Sequence, residues 1–210
     1  NGLNLEDSER LVNYFRWTNN FVLNSLYSEE FKEGLEICDP GLPMKNFISP
    51  ISSDIPLLDK MLTLEQRFFL ADHNLIYTDK MSMAASVEVR VPFLDTDLVE
   101  FAASIDNKHK QRGSKGKWVL KKAMEPYLPK DVIYRPKTGF GAPLRSWMKN
   151  DLRELLGDLL SADSLNNRGL FSASAVQQLI MDNDNGKIDA SYTLLSLLCI
   201  EIWCRAYIDN

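Results

Sequence analysis

The chain is predicted to be all-α, on three features of its 210 residues. Apolar residues recur at three- and four-residue steps through most of the length, the spacing that lines one face of a helix. Period-two alternation, the mark of a half-buried strand, is nearly absent. The last stretch, Tyr192 to Ile202, is almost wholly apolar. A segment apolar all round is expected in a core.

The elements follow in order. Asn4 is placed to cap a first helix carrying Leu5, Leu11, Val12 and Phe15. Ser28-Glu29-Glu30-Phe31 reads as a weaker helix start, and Asp39-Pro40-Gly41-Leu42-Pro43 breaks the chain. After Asp54-Ile55-Pro56 comes a wide apolar stripe from Leu57 to Leu70, with Pro56 suited to a first helical turn. Thr78 to Ser86 reads as a separate short helix. Pro92 disfavours helix through Val89–Leu94. Asp95 or Thr96 caps the next helix, and Ser114 caps one containing Trp118, Leu120 and Met124. Leu128 to Pro143 is irregular, and helices return over 145–160, 172–181 and 189–207. Both Cys199 and Cys204 read as buried small hydrophobes.

Bulk composition narrows the class. The length suits one sizeable core, so residues 1–210 are expected to form a single helical subdomain, with a helical region over 148–210. The net charge of -5 argues against a nucleic-acid binder, which needs a basic excess against phosphates. Three scattered cysteines do not make a disulfide framework, which fits a reducing, cytoplasmic setting. Two distant histidines give no zinc site, and no metal-ligating residues are assigned. No run approaches the ~20 apolar residues of a membrane helix. The start, Asn1-Gly2-Leu3-Asn4, has neither a signal peptide nor an initiator methionine and reads as a cut inside a longer chain.

Two segments carry candidate chemistry. Asp79 to Asp95 places Glu88 and Arg90 beside a proline-stiffened turn. A carboxylate there can accept a proton or orient an amine; the plainer alternative is a surface ion pair of little energetic weight. The second segment is Ser114-Lys115-Gly116-Lys117, followed by Tyr134-Arg135-Pro136-Lys137-Thr138-Gly139-Phe140-Gly141. Glycines admit backbone N–H groups to an anion, and lysine adds a movable point charge. A solvated basic loop is the alternative, and the spacing is not that of a Walker motif. Asp182-Asn183-Asp184-Asn185-Gly186 imitates a calcium loop. Aligned on Gly186, it lacks the opening Asp and the closing bidentate Glu, so a capped turn between helices is expected.

Taken together these segments, a motif core over 64–147, resemble the asparagine synthetase family. Asp79 through Asp95 is similar to its Asp-Arg/Lys-x-Ser-Met-Ala-x-Ser-hydrophobic-Glu-x-Arg-x-Pro-Phe-Leu-Asp stretch. Gly116, Lys117, Leu120 and Lys121 match its Gly-Lys-x-x-Leu-Arg/Lys helix. Leu128, Pro129, Ile133 (one place off the usual hydrophobic), Arg135, Lys137, Gly139, Phe140 and Pro143 match a third motif, and Trp147 falls where the family often has tryptophan.

The resemblance implies the helical C-terminal portion of an α/β adenine-nucleotide-hydrolase-like synthetase domain, with the parallel sheet missing. It implies adenylation of the aspartate side chain by ATP, release of pyrophosphate, and amide formation with ammonia derived from glutamine. Glu88 corresponds to the carboxylate assisting ammonia attack. Lys117 and Lys137 correspond to phosphate- or pyrophosphate-binding cations, and Asp79 and Arg90 brace the region. ATP and Mg²⁺ are implied as cofactors, bound mainly by the missing N-terminal part. The Ser-Gly-Gly-x-Asp-Ser nucleotide loop and the glutaminase domain have no match here, so the fragment alone is expected to be inactive. Expected partners are aspartate, ATP, glutamine or ammonia, and the missing glutaminase domain and sheet; a homodimer is allowed. Two alternatives stand: a related amidotransferase or ligase with a non-aspartate acceptor, and a non-catalytic helical scaffold.

Overall fold

The computed structural model describes residues 6–34, 39–136 and 142–209. In chain order the helices are α1 (Asp7–Asn13), α2 (Asn20–Leu26), α3 (Glu29–Gly34), α4 (Leu42–Ile48), α5 (Leu57–Leu64), α6 (Ile76–Ala84), α7 (Thr96–Ser104), α8 (Asn107–Lys110), α9 (Trp118–Met124), α10 (Lys130–Ile133), α11 (Leu144–Lys149), α12 (Arg153–Leu159), α13 (Ala162–Arg168), α14 (Ala173–Asp184) and α15 (Ser191–Tyr207). Among the described residues the one sheet is a two-stranded hairpin, β1 (Gln111–Arg112) with β2 (Lys115–Gly116). The all-α expectation therefore holds. The chain separates into two compact units, one of residues 1–11 and 44–139, the other of 12–43 and 140–210.

The second unit holds the larger core. In α15, Leu194, Leu197, Leu198, Glu201 and Cys204 are buried, a set spaced at three and four residues that makes one helical stripe. α11 and α12 pack on α15, and α13 packs on α14. Met148, Leu160 and Val176 are among the most deeply buried members of this core, and each such side chain contributes about 1.5–3 kcal/mol of transfer free energy. Serines start the helices as expected of caps: Ser172 Oγ accepts from Ala175 N at 3.3 Å, and Ser28 Oγ from Phe31 N at 3.0 Å. Ser161 does the same for α13. The α2–α3 junction is tied to the chain after α13 by Ser28 N to Leu170 O at 3.1 Å and Ser172 N to Leu26 O at 2.8 Å.

Several expectations are corrected. The helix expected over 145–160 is two helices, α11 and α12. Asn150 leaves helical geometry (φ -121°, ψ -79°), and its side-chain amide donates to Ser146 O at 3.0 Å, competing with the backbone. Cys199 is exposed while Cys204 is buried, because they lie five residues apart and five residues do not return to the same helical face. The remaining face of α15 is exposed too, with Trp203 53% and Tyr207 72% accessible. The expected cap Asn4 and the third cysteine, Cys38, lie outside the described residues. The imitation calcium loop is a turn closing α14, with Asp182 ion-paired to Lys187 at 2.8 Å and Gly186 left-handed at φ 69°.

In the first unit, the two helices expected around Leu57–Leu70 and Thr78–Ser86 are one continuous rod. α5 runs into a π-helical segment, Glu65–Leu75, and on into α6. No Gly or Pro interrupts residues 57–84, so nothing breaks the ladder. Pro56 sits just before the first turn, at the cap. Ser114 does not cap α9; it lies in the turn between β1 and β2. Only Leu11, Ile48 and Leu64 are buried apolar residues of this unit among those described, while Met81, Phe93, Phe101 and Tyr127 are exposed.

Candidate functional site

The carboxylate candidate sits on a segment thrown out by the end of α6. Ser86 is left-handed, φ 58°. Val87 N donates to Ser82 O at 2.9 Å, and Ser86 N to Met83 O at 2.9 Å. These two bonds close the helix end in the pattern where glycine usually takes the left-handed position. The chain then extends through Glu88 and Arg90 to a tight helical turn at Pro92–Leu94. Asp95 caps α7 by accepting from Leu98 N at 3.2 Å. Alternate residues of an extended chain share a side, and Glu88 and Arg90 form an ion pair at 2.7 Å. Both are exposed, so the pair adds little stability. Asp79 lies exposed on α6, and its carboxylate has no hydrogen bond or ion pair among the described residues.

The cation candidate is built by the hairpin. Gly113 supplies a positive φ of 55° in the turn, which a residue without a Cβ adopts freely. β2 then leads directly to Lys117, itself left-handed at φ 55°, ψ 36°, at the N-terminal cap of α9. Ser86 and Lys117 are the described non-glycine residues with positive φ, and each falls in one of the two singled-out segments. Lys117 lines a cavity of about 600 Å³ with Ser114, Gly116, Lys121 and Arg135 at its polar side, and Leu120, Met124 and Leu128 among its apolar lining. Among the described residues no acidic side chain lines it. Lys121, within α9, lines the same cavity as Lys117 at the cap.

The nearby acid is already engaged. Glu125 accepts from Lys122 at 2.7 Å and from the Tyr134 hydroxyl at 2.5 Å. The Lys122 bond, then the Tyr134 bond, hold the Glu125 carboxyl below its ordinary range. The same bonds to Glu125 raise Lys122 and Tyr134. An electrostatic surface of this kind suits an anion, with glycine-flanked backbone and two or three cations around an acid-free cavity.

Lys137, together with Thr138 to Gly141, lies outside the described residues. Asp79, Glu88 and Arg90 are not among the cavity's lining residues. The geometry thus joins Glu88 to Arg90, and Lys117 to Arg135, as two separate groups. Sequence reasoning missed Lys121 as a member of the cavity, though its four-residue step from Lys117 was the available signal. It also missed the hairpin, whose sign was a two-residue Gly113-Ser114 turn.

Comparison with known proteins defines the class. The family model for asparagine synthase matches residues 7–205, and the chain belongs to that family. It is 32% identical over 159 residues to the glutamine-hydrolysing asparagine synthetase 1 of Bacillus subtilis, covering 76% of this chain and 25% of that protein. It is 47% identical over 62 residues to asparagine synthetase 3 of the same organism, covering 30% of this chain and 10% of that protein. An asparagine synthetase of Arabidopsis thaliana is 38% identical over 79 residues, covering 34% and 14%. The chain therefore spans a quarter or less of the length of these relatives. No solved structure matches it.

Proposed function

We propose that this chain is part of a glutamine-hydrolysing asparagine synthetase, an ATP-dependent carbon–nitrogen ligase of the cytoplasm. What supports this most is the acid-free cavity that gathers Ser114, Gly116, Lys117, Lys121 and Arg135 within a chain matched to the family almost end to end.

In this reading a side-chain carboxylate oxygen of aspartate attacks the α-phosphorus of ATP. A P–O bond forms, the bond to the β-phosphate oxygen breaks, and pyrophosphate leaves with the electron pair. Lys117 and Lys137 neutralise the charge developing on that leaving group; placed cations are the main protein contribution to such transfers. Ammonia then attacks the β-aspartyl-adenylate. Glu88 takes the proton from the attacking nitrogen, AMP departs, and asparagine results. Asp79 and Arg90 brace the Glu88 segment, Arg90 through its ion pair with the Glu88 carboxylate.

Glutaminase and nucleotide-binding portions of the same enzyme supply ammonia and hold the adenine end of ATP. They also cover exposed apolar side chains of the first unit, such as Met81, Phe93, Phe101 and Tyr127. Among the described residues no group of three or more His, Cys, Asp or Glu could hold a metal ion. Mg²⁺ is assigned to arrive on the nucleotide phosphates, where it would screen their charge.

The test is pyrophosphate release from ATP by the full-length protein, with and without aspartate, beside Lys117→Ala and Lys137→Ala. Aspartate-dependent release, cut about 100-fold by each substitution, is expected. Release indifferent to aspartate would move the acceptor to another carboxylate. No release with any substrate would leave a helical scaffold.

A further inference from the structure

Lys117 holds a backbone conformation that opposes any side chain with a Cβ. Such a conformation persists only where the surroundings over-determine it. Its own side chain makes no capping bond to α9, so the hold comes from neighbours. Upstream, the hairpin pairs Arg112 with Lys115 and Gln111 with Gly116. Downstream, Arg112 reaches across the turn and lays its guanidinium over the Trp118 ring, 3.7 Å from the centroid. The His109 ring lies 6.0 Å from the same indole, tilted by 34°.

This assembly is itself anchored. Asn107 Nδ2 donates to Asp59 Oδ2 at 2.8 Å, and Lys110 Nζ to Asp59 Oδ1 at 3.0 Å, which fastens α8 to α5. A line of contacts thus runs from the long helical rod through α8 and the hairpin to the indole beside Lys117. Arg112 bridges the two sides of the strained residue, since it precedes Lys117 in the hairpin and touches the residue that follows it.

We propose that Arg112 is a positioning residue: seated on Trp118, it locks the left-handed turn at Lys117 and so sets the Lys117 ammonium at the anion cavity. The inference rests on the reading of Lys117 as a phosphate cation. Arginine suits the task because its flat guanidinium stacks on an aromatic face while staying charged. It acts through Lys117 and is not among the residues lining the cavity.

The test is a double-mutant cycle on the full-length protein, read as inhibition by pyrophosphate and as kcat against KM for ATP. Lys117→Ala is expected to weaken pyrophosphate inhibition. Arg112→Ala is expected to weaken it about fivefold, the size of one stacked cation, and Arg112→Lys, which keeps the charge but not the flat guanidinium, to restore little of the loss. In the Lys117→Ala background, Arg112→Ala should add nothing. An equal loss in that background, or no loss in Arg112→Ala while Lys117→Ala is impaired, overturns the positioning role and leaves the phosphate role of Lys117 standing. Unchanged inhibition in Lys117→Ala overturns the phosphate role itself, and the positioning role falls with it. Should Arg112→Ala lose helical circular dichroism, Trp118→Phe takes its place in the cycle with the same expected and overturning results.

Discussion

Ser86 occupies the place at a helix end where glycine costs least, and it does so two residues before Glu88. Its left-handed backbone and the Val87-to-Ser82 bond turn the chain sharply from helix to extended backbone. Ser86→Gly should stabilise the folded chain by about 1 kcal/mol in urea denaturation, because glycine removes the Cβ clash of the left-handed region. Ser86→Val should destabilise it, since a β-branched residue resists that region most. A loss of stability in the glycine variant would mean that the serine side chain holds the turn by other means. Neither left-handed residue was legible in the sequence. Serine and lysine carry no local signal for positive φ, which here is imposed by helix closure and by the hairpin.

At the scale of elements, α13 and α15 are joined by a charge network around a buried carboxylate. Glu201 accepts from Arg168 Nε at 3.0 Å and from Arg205 Nε at 2.8 Å, and Arg168 also binds Asp209 at 2.6 and 2.8 Å. Burial alone would raise the Glu201 pKa, but the bonds from Arg168 and Arg205 outweigh it and bring the net value below the ordinary 4.5. The bonds to Asp209 and then Glu201 push Arg168 upward. The folded pKa of Glu201 lies below the unfolded one, so its contribution is complete above about pH 4.5 and is lost as pH falls through the folded value. Glu201→Gln should cost about 3 kcal/mol at neutral pH, because two arginines lose their buried partner. It should also flatten the acid limb of stability below pH 4.5. Thermal denaturation from pH 3 to 7 reads both effects, and an acid limb as steep as in the unsubstituted protein would remove Glu201 from this role.

Across the whole molecule, the two units are stabilised unequally. The second has a continuous apolar interior built from α11 to α15 and Leu26. The first leaves residues such as Phe93, Phe101 and Tyr127 accessible, and its basic cavity is open to solvent, with Lys117 and Arg135 exposed. A basic cavity open to solvent should hold phosphates weakly. Isothermal titration of the 210-residue chain with ATP is expected to show no tight, stoichiometric binding. Stoichiometric binding with a Kd below about 10 μM, roughly 7 kcal/mol, would require a nucleotide site within these residues.

The sequence by itself determined the helical class, most helix positions of the last third and the family motifs. The physical reason is that periodic burial, serine caps and proline breaks act over a few residues. Ser28 starts and Asp95 caps the helices expected of them. It also named Glu88 and Lys117, whose residue types are fitted to proton and phosphate chemistry. Tertiary structure decided the rest. Asn150 split an expected single helix through its own side-chain bond. Cys199 faced outward because the core claims only one stripe of α15. Arg112 met Trp118, and Lys121 joined Lys117 and Arg135 around one cavity, through a hairpin whose pairing links residues distant in local pattern. Contacts of that kind depend on where the chain returns, which periodicity does not encode.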